Sequence, residues 1–215
     1  MAAGEGTRWN KYRKTAKHKL VIEGEVLIER TVKQFTKYSN DIVVVGSSNS
    51  YKVEGARCYI PPHLSKWKDM AKFLSSKDIW SKERTVLVFG DVYFTDEAVE
   101  TIMKDEGEFT FFLRDKGSEI TGKPWREIFG IAFNGSSNKM LKDRMLEIIE
   151  FNKVLGSGGW YLFNDLKRNY KHDFSLEIDD WTEDFDFPED LNTWEEKRAA
   201  WLIEQKKKSP EPDET

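Results

Sequence analysis

A glycine-rich turn and a group of cations lie at the start of this 215-residue chain. Gly4 and Gly6 flank Glu5, and the five cations within positions 8–17 are Arg8, Lys11, Arg13, Lys14 and Lys17. Glycines let backbone N–H groups approach an anion closely, and cationic side chains complete a polyphosphate site. The turn lacks the Gly-Lys-Ser/Thr of a Walker loop and the third glycine of a dinucleotide fingerprint, so a mobile N-terminus is the alternative interpretation.

Two acidic positions further along the chain could hold a metal ion for such a polyphosphate. Asp91 follows an apolar run at 85–89, and an acidic run at 179–190 includes Asp186. Mg²⁺ is a hard cation that takes one or two carboxylates together with phosphate oxygens and water. The alternatives are that Asp91 is a turn or helix-capping residue and that the acidic run is a solvated loop.

Hydrophobic periodicity predicts the elements that position these residues. Short apolar runs bounded by glycine or proline are typical of buried strands, and apolar residues at helical spacing predict amphipathic helices. The predicted strands cover 41–46, 58–60, 85–89, 109–113, 128–133 and 174–179, and the predicted helices cover 26–38, 67–80, 96–104 after an N-cap at Thr95, 137–155, 160–168 and a final helix beyond the acidic run.

Alternating strands and helices indicate an α/β fold with a mostly parallel central sheet and right-handed crossovers. Ligands of such sheets bind outside the carboxyl ends of the strands. Gly46, Gly90-Asp91 and Asp186 all follow predicted strands closely. We therefore expect them to meet the glycine-rich turn in one cleft.

Composition limits the class of protein and its partners. The net charge of −4 gives no general basic field for nucleic acid, and the single cysteine, Cys58, excludes an intrachain disulfide and a cysteine-based zinc site. No apolar run is long enough to span a membrane and no apolar leader is present, so we expect a cytoplasmic protein without membrane contact. The length predicts one domain at 1–195, then a helix end and a disordered charged tail at 196–215. Nothing in the sequence indicates the oligomeric state.

Three motifs along the chain together resemble a known family. Residues 2–8 read Ala-Ala-Gly-Glu-Gly-Thr-Arg, with Lys17 and an Ile-Glu-Gly-Glu-Val-Leu-Ile stretch following; residues 86–91 read Val-Leu-Val-Phe-Gly-Asp, and residues 184–191 read Asp-Phe-Asp-Phe-Pro-Glu-Asp-Leu. In this order they resemble the signature of the sugar-nucleotide nucleotidyltransferases, of the MobA-like NTP transferase superfamily. Where the family has proline, this chain has Ala16 and Val26. The resemblance implies a Rossmann-like three-layer sandwich of the nucleotide-diphospho-sugar transferase type.

The resemblance also implies a role for each motif. A nucleoside triphosphate would lie over the first motif, in contact with Ala2, Ala3, Gly4, Glu5, Gly6, Thr7 and Arg8. Arg8 would hold the β- and γ-phosphates, and Lys17 the α-phosphate and the nucleophile. Asp91 and Asp186 would bind Mg²⁺, so the implied catalytic residues are Lys17, Arg8 and Asp91. The implied reaction transfers NMP from an NTP, with CTP or UTP favoured, to a phosphorylated sugar or small alcohol, and releases pyrophosphate.

Two tryptophan-containing loops lie where the family binds its second substrate. The residues that we expect there are Trp125, Gly158, Gly159, Trp160 and Asp179. Indole faces stack on sugar rings or on quaternary ammonium groups. Packing of both tryptophans in a lid or in the core is the alternative.

One departure from the family concerns the first strand. Family members have an apolar strand before the glycine-rich motif, whereas only Met1-Ala2-Ala3 precede Gly4 here. Either the start of the chain is wrongly assigned, or the first strand is truncated, in which case we expect a gap in the sheet.

Two other functions compete with nucleotidyl transfer. One is a glycosyltransferase of related fold that uses a nucleotide sugar, although Asp91-Val92-Tyr93 lacks its usual Asp-x-Asp. The other is a degenerate, non-catalytic nucleotide-binding module.

Overall fold

The computed structural model describes residues 1–2, 9, 15–62, 69–151, 158–171 and 173–208. Its ten strands and six helices follow one another as β1 Val21–Ile22, β2 Glu25–Val26, α1 Leu27–Phe35, β3 Val43–Val45, β4 Arg57–Tyr59, α2 Asp69–Ser75, β5 Arg84–Val88, β6 Val92–Tyr93, α3 Asp96–Lys104, β7 Phe109–Arg114, β8 Glu127–Asn134, α4 Asn138–Phe151, α5 Gly159–Asn169, β9 Ser175–Glu177, β10 Glu183–Asp184 and α6 Pro188–Lys208. Every predicted strand and helix therefore has a counterpart among the described residues.

The largest sheet has the strand order β5-β8-β7-β9. Strand β8 runs antiparallel to both β5 and β7, so that Ile131 lies opposite Leu87 on one side and Phe111 on the other. Strands β7 and β9 are parallel. The antiparallel strand follows from the connection: no helix lies between β7 and β8, and a return without a crossover helix gives antiparallel neighbours.

Three further strand pairs lie outside this sheet. β3 and β4 are parallel, whereas β1–β2 and β6–β10 are antiparallel. The described residues form one mixed sheet and three small pairs, so they do not show the expected mostly parallel central sheet. Residues 1 and 2 link β3 to β5. Ala2 N donates to Val45 O of β3 at 2.8 Å, and Met1 N donates to Val88 O of β5 at 2.6 Å.

Helices cover both faces of the mixed sheet. Successive residues of a strand point to opposite faces, and the core accordingly divides in two. One cluster joins Phe111, Ile131 and Phe133 to α2, α4 and α5. The other joins Phe112 and Ala132 to α1 and α3. This helix–sheet–helix arrangement agrees with the expected three-layer sandwich.

A third cluster supports the segments beside the predicted cleft. It contains Trp9, Leu20, Ile22, Leu27, Tyr93, Phe185, Leu191 and Trp194, contributed by the β1–β2 region, β6, the segment after β10 and α6. The guanidinium of Arg198 lies 5.1 and 4.7 Å from the ring centroids of Trp181 and Trp201, which holds α6 against this cluster.

Helix α3 begins at the N-cap residue that the sequence predicts. Thr95 accepts a hydrogen bond from Ala98 N at 2.9 Å and begins α3, as predicted. Helix α6 continues to Lys208 through the expected boundary at 195, which stays a prediction, and residues 209–215 lie outside the described part. Among the helices of the described residues, none combines the length and apolarity needed to cross a membrane.

Candidate active site

Lys17 lies at the centre of the site. It opens a short 3-10 turn, Lys17–Lys19, and its side chain is 11% exposed. Its Nζ lies 3.2 Å from Asp91 Oδ2 and 3.4 Å from Asp184 Oδ1. Segments from the start, the middle and the end of the chain therefore meet at one ammonium group.

Asp91 is placed by the end of β5 and by the residues beside it. Gly90 N donates to Met1 O at 2.7 Å, which holds the N-terminal residues against this turn. A Cβ at Gly90 would lie only 3.0 Å from Met1 O and 3.2 Å from Ala2 Cβ, so this close approach favours glycine. The buried Ala2 thus lies next to Gly90, the residue before Asp91.

Asp184 reaches Lys17 through a strand that sequence patterning missed. In β10 it is paired with Val92 of β6, the residue after Asp91. Carboxylate oxygens of Glu127, Asp184 and Asp186 all lie within 4.8 Å of one another. Asp186, the expected metal ligand, is thus in the cluster, and Asp184 and Glu127 are neighbours to which the sequence analysis gave no role.

Burial and crowding of these acids change their pKa values. Burial would lower the pKa of Lys17, but the carboxylates of Asp184, Asp91 and Asp186 raise it above its usual value. Burial would raise the pKa of Asp91, yet Lys17 holds it below its usual value. Burial raises the pKa of Asp184 well above its usual value; Lys17 opposes this rise, and the charges of Asp91 and Glu127 add to it.

Glu127 shows the same excess of negative charge. Burial, together with the nearby carboxylate of Asp186, raises its pKa to about 7 against the opposing influence of Lys123. A cluster in which carboxylates are pushed toward protonation fits a divalent cation, since a bound cation would compensate the negative charge. The donor set consists of carboxylate oxygens only, which suits Mg²⁺ or Mn²⁺.

His18 lies beside Lys17 and is 4% exposed. Its ring packs on Tyr51, with centroids 4.5 Å apart. Burial lowers the pKa of His18 to about 4, despite the nearby Asp91 carboxylate, and the cations Lys19 and Lys17 act in the same direction as burial. The imidazole is therefore neutral at pH 7, and the sequence analysis gave it no role.

The two expected acceptor tryptophans differ in their contacts. Trp125 is 44% exposed, and its Nε1 donates to Glu127 Oε1 at 2.7 Å. Trp160 packs on Phe163 with centroids 5.3 Å apart, and the guanidinium of Arg126, which pairs with Asp115 at 3.0 Å, lies 4.2 Å from its ring centroid. The structure therefore places Trp125 against the acidic cluster and Trp160 against the core.

The remaining expected site residues differ in where they lie. Gly159 begins α5, where a Cβ would approach Ile128 Cδ1 at 3.3 Å, and Gly158 is its N-cap. Asp179 pairs with Lys116 at 2.8 Å and has no recorded contact with the acidic cluster in the described part of the chain. The first-motif residues Ala3, Gly4, Glu5, Gly6, Thr7 and Arg8 lie outside the described residues, so their roles stay predictions.

Comparison with known proteins finds similar structures but no similar sequences. No protein-family model matches the chain, and no curated protein matches it by sequence. The inositol-1-phosphate CTP transferase from T. maritima is similar with a TM-score of 0.65 and 14% identity, over 95% of this chain and 94% of that one. The CTP:phosphocholine cytidylyltransferase from Streptococcus pneumoniae gives 0.63 and 14%, over 92% and 96%.

A third structure, from Bacillus anthracis, is described as a glucose-1-phosphate thymidylyltransferase in complex with a sucrose. It gives a TM-score of 0.60 and 13% identity, over 91% of this chain and 92% of that one. At such identities the likeness shows the fold. The chain therefore has the fold of these nucleotidyltransferases over nearly its whole length.

Proposed function

We propose that this protein is a Mg²⁺-dependent nucleotidyltransferase. It would transfer NMP from an NTP, with CTP or UTP favoured, to a phosphorylated sugar or small alcohol and release pyrophosphate. The observation that carries the proposal is the position of Lys17 next to both Asp91 and Asp184, where the turn after β5 meets Met1. That arrangement combines a cation for phosphate oxygens with carboxylates for a metal in a fold that supports this chemistry.

The reaction requires positioning and charge stabilisation more than proton transfer. An oxygen of the acceptor phosphate attacks the α-phosphorus, the bond from that phosphorus to the bridging oxygen breaks, and pyrophosphate leaves with the electron pair. No general base is needed, because the acceptor phosphate is already an anion. The proposed role of Lys17 is to bind oxygens of the α-phosphate and of the acceptor, where negative charge gathers in the transition state.

The proposed ligands of Mg²⁺ are Asp91 and Asp186. Asp184 lies in one cluster with Asp186 and contacts Lys17 together with Asp91, which makes it a third candidate. The ion would neutralise phosphate charge when it is bound. Arg8, for which the resemblance implies contact with the β- and γ-phosphates, would complete the cationic side of the site.

The acceptor is proposed only as a class. The three similar proteins are described as acting on an inositol phosphate, on phosphocholine and on a glucose phosphate. The exposed face of Trp125 beside Glu127 suits a sugar ring or an ammonium group. Trp160, Gly158 and Gly159 would form the far wall, whereas the pairing of Asp179 with Lys116 gives that residue no support as a substrate ligand.

A pyrophosphate-release assay tests the proposal. CTP, UTP, dTTP, ATP and GTP would each be combined with glucose 1-phosphate, inositol 1-phosphate and phosphocholine in the presence of Mg²⁺. Release that requires both an NTP and one acceptor is the expected result. Binding of NTP without release would instead support a non-catalytic module, and sugar transfer from a nucleotide sugar without pyrophosphate would support a glycosyltransferase.

A further inference from the structure

A buried ammonium group lies behind the acidic cluster. The side chain of Lys123 is only 2% exposed. Its Nζ lies 3.4 Å from Glu127 Oε1, 3.5 Å from Glu183 Oε1 and 3.7 Å from Asp190 Oδ2. It also donates a hydrogen bond to the backbone carbonyl of Asp184. One cation thus contacts the start of β8, both residues of β10 and the first turn of α6.

These contacts restrain the backbone that carries two carboxylates of the acidic cluster, those of Asp184 and Asp186. The bond to the Asp184 carbonyl fixes the peptide from which that carboxylate extends. Asp190 accepts a hydrogen bond from Phe187 N at 2.9 Å and so fixes the residue that follows Asp186. Because Lys123 lies close to Asp190 and also donates to the Asp184 carbonyl, a single side chain restrains the backbone on both sides of Asp186.

Hydrogen bonds hold the carboxylate of Glu183, one of the contacts of Lys123, in place. It is fully buried, and its Oε2 accepts from Arg114 Nη1 at 3.0 Å and from Ser118 Oγ at 2.5 Å. Arg114 in turn donates to the carbonyl oxygens of Asp180 and Thr182, at 3.1 and 2.5 Å. The ammonium of Lys123 is therefore held between a rigid buried carboxylate and the peptide of Asp184.

We propose that Lys123 is a positioning residue that orients the carboxylates of Asp184 and Asp186 for a divalent cation. With so little exposed surface it acts through those residues and not by contact with substrate. Mutation of residues that orient metal ligands typically lowers metal affinity or activity by about 10- to 100-fold. The inference rests on the metal site of the proposed function but not on the identity of either substrate.

Mn²⁺ binding, measured by the loss of the free-ion EPR signal without any substrate, tests the inference. Lys123→Met should weaken Mn²⁺ binding by at least about tenfold. Because that variant removes the cation beside Glu183 Oε1 and leaves only Arg114 to balance this carboxylate, the double variant Lys123→Met/Glu183→Gln serves as its partner. The glutamine oxygen can still accept from Arg114 and Ser118, so we expect the double variant to fold and to keep the weakened binding. Near-UV circular dichroism checks the fold.

Arg84→Met is the matched control. Arg84 is a partly buried arginine paired with Asp105 at 2.5 Å. It is the first residue of β5, whereas the site lies beyond the last residue of that strand. It should bind Mn²⁺ like the wild type. A folded double variant with wild-type Mn²⁺ affinity would overturn the inference. So would a Lys123→Met variant that changes only the acceptor KM, or a wild-type protein that binds no Mn²⁺. A wild type that binds Mn²⁺ but releases no pyrophosphate contradicts the proposed function instead.

Discussion

The ammonium nitrogen of Lys17 lies 3.2 Å from Asp91 Oδ2, although 74 positions separate the two residues in the chain. The pairing is held from both sides: a 3-10 turn orients Lys17, and the contact of Gly90 with Met1 fixes the turn that carries Asp91. Asp184, at the other end of the chain, approaches the same nitrogen. The fold thus brings Lys17, Asp91 and Asp184 together, and substitutions can test the role of each charge separately.

Replacement of Asp91 by asparagine should reduce pyrophosphate release by at least about a hundredfold. The variant keeps the shape of the side chain but removes the charge that faces both Lys17 and the proposed metal. Steady-state kinetics at saturating NTP and Mg²⁺ measure the effect. Asp143→Asn, which breaks an exposed pair with Lys139 on α4, should keep wild-type rates. Turnover of Asp91→Asn at the wild-type rate in high Mg²⁺ would contradict the assignment of Asp91 as a metal ligand.

Asp184 and Asp186 can be distinguished by their separate asparagine variants. The resemblance implies that Asp186 binds the metal, and Asp184 contacts Lys17 directly. We therefore expect Asp186→Asn to weaken Mn²⁺ binding by about tenfold or more. Asp184→Asn should weaken Mn²⁺ binding less and lower kcat more than Asp186→Asn does. Titration of Mn²⁺ and steady-state kinetics on both variants make the comparison. The reverse order of Mn²⁺ affinities would make Asp184 the ligand.

The sequence predicted long elements well because each has a clear hydrophobic period. The run at 109–113 and the Thr95 cap, for example, correspond to β7 and to the start of α3. It missed β6 and β10, since strands of two residues are too short for any period to show. Those two strands form the pair that brings Asp184 next to Asp91 and Lys17.

Glu127 was missed for a different reason, namely strand direction. In the expected, mostly parallel sheet, the residues beside the site are those that follow strands. Strand β8 runs antiparallel to β5 and β7, so its first residue, Glu127, lies at the edge where β5 and β7 end. Strand direction depends on the 115–126 connection and on pairing across the sheet, and neither leaves a local pattern in the residues around Glu127.

His18 predicts a specific dependence of stability on pH. Its pKa is lowered from 6.5 to about 4 in the folded protein, so the unfolded chain binds the proton more readily between these values. The contribution is therefore fully present above pH 6.5 and is lost as the pH falls toward 4. A shift of this size corresponds to about 3 kcal/mol.

Comparison with His18→Phe isolates this contribution, because phenylalanine keeps the contact with Tyr51 and cannot titrate. Urea unfolding at pH 7 and at pH 4.5 should show a smaller loss of unfolding free energy for the variant than for the wild type. The acid sensitivity of the carboxylates is common to both proteins and cancels in the difference. Equal losses in the two proteins would mean that His18 is not buried in its neutral form.

Trp125 offers the sharpest test of the acceptor side. Its exposed face and its hydrogen bond to Glu127 are separable, since phenylalanine keeps an aromatic face and loses the N–H donor. We expect Trp125→Ala to raise the KM of the active acceptor by about tenfold, the value of one aromatic contact, with Trp125→Phe intermediate and the KM for NTP unchanged. Tyr161→Ala, a comparably exposed aromatic on α5, is the control. If both KM values rose together, or if the acceptor KM did not change, Trp125 would be a packing residue.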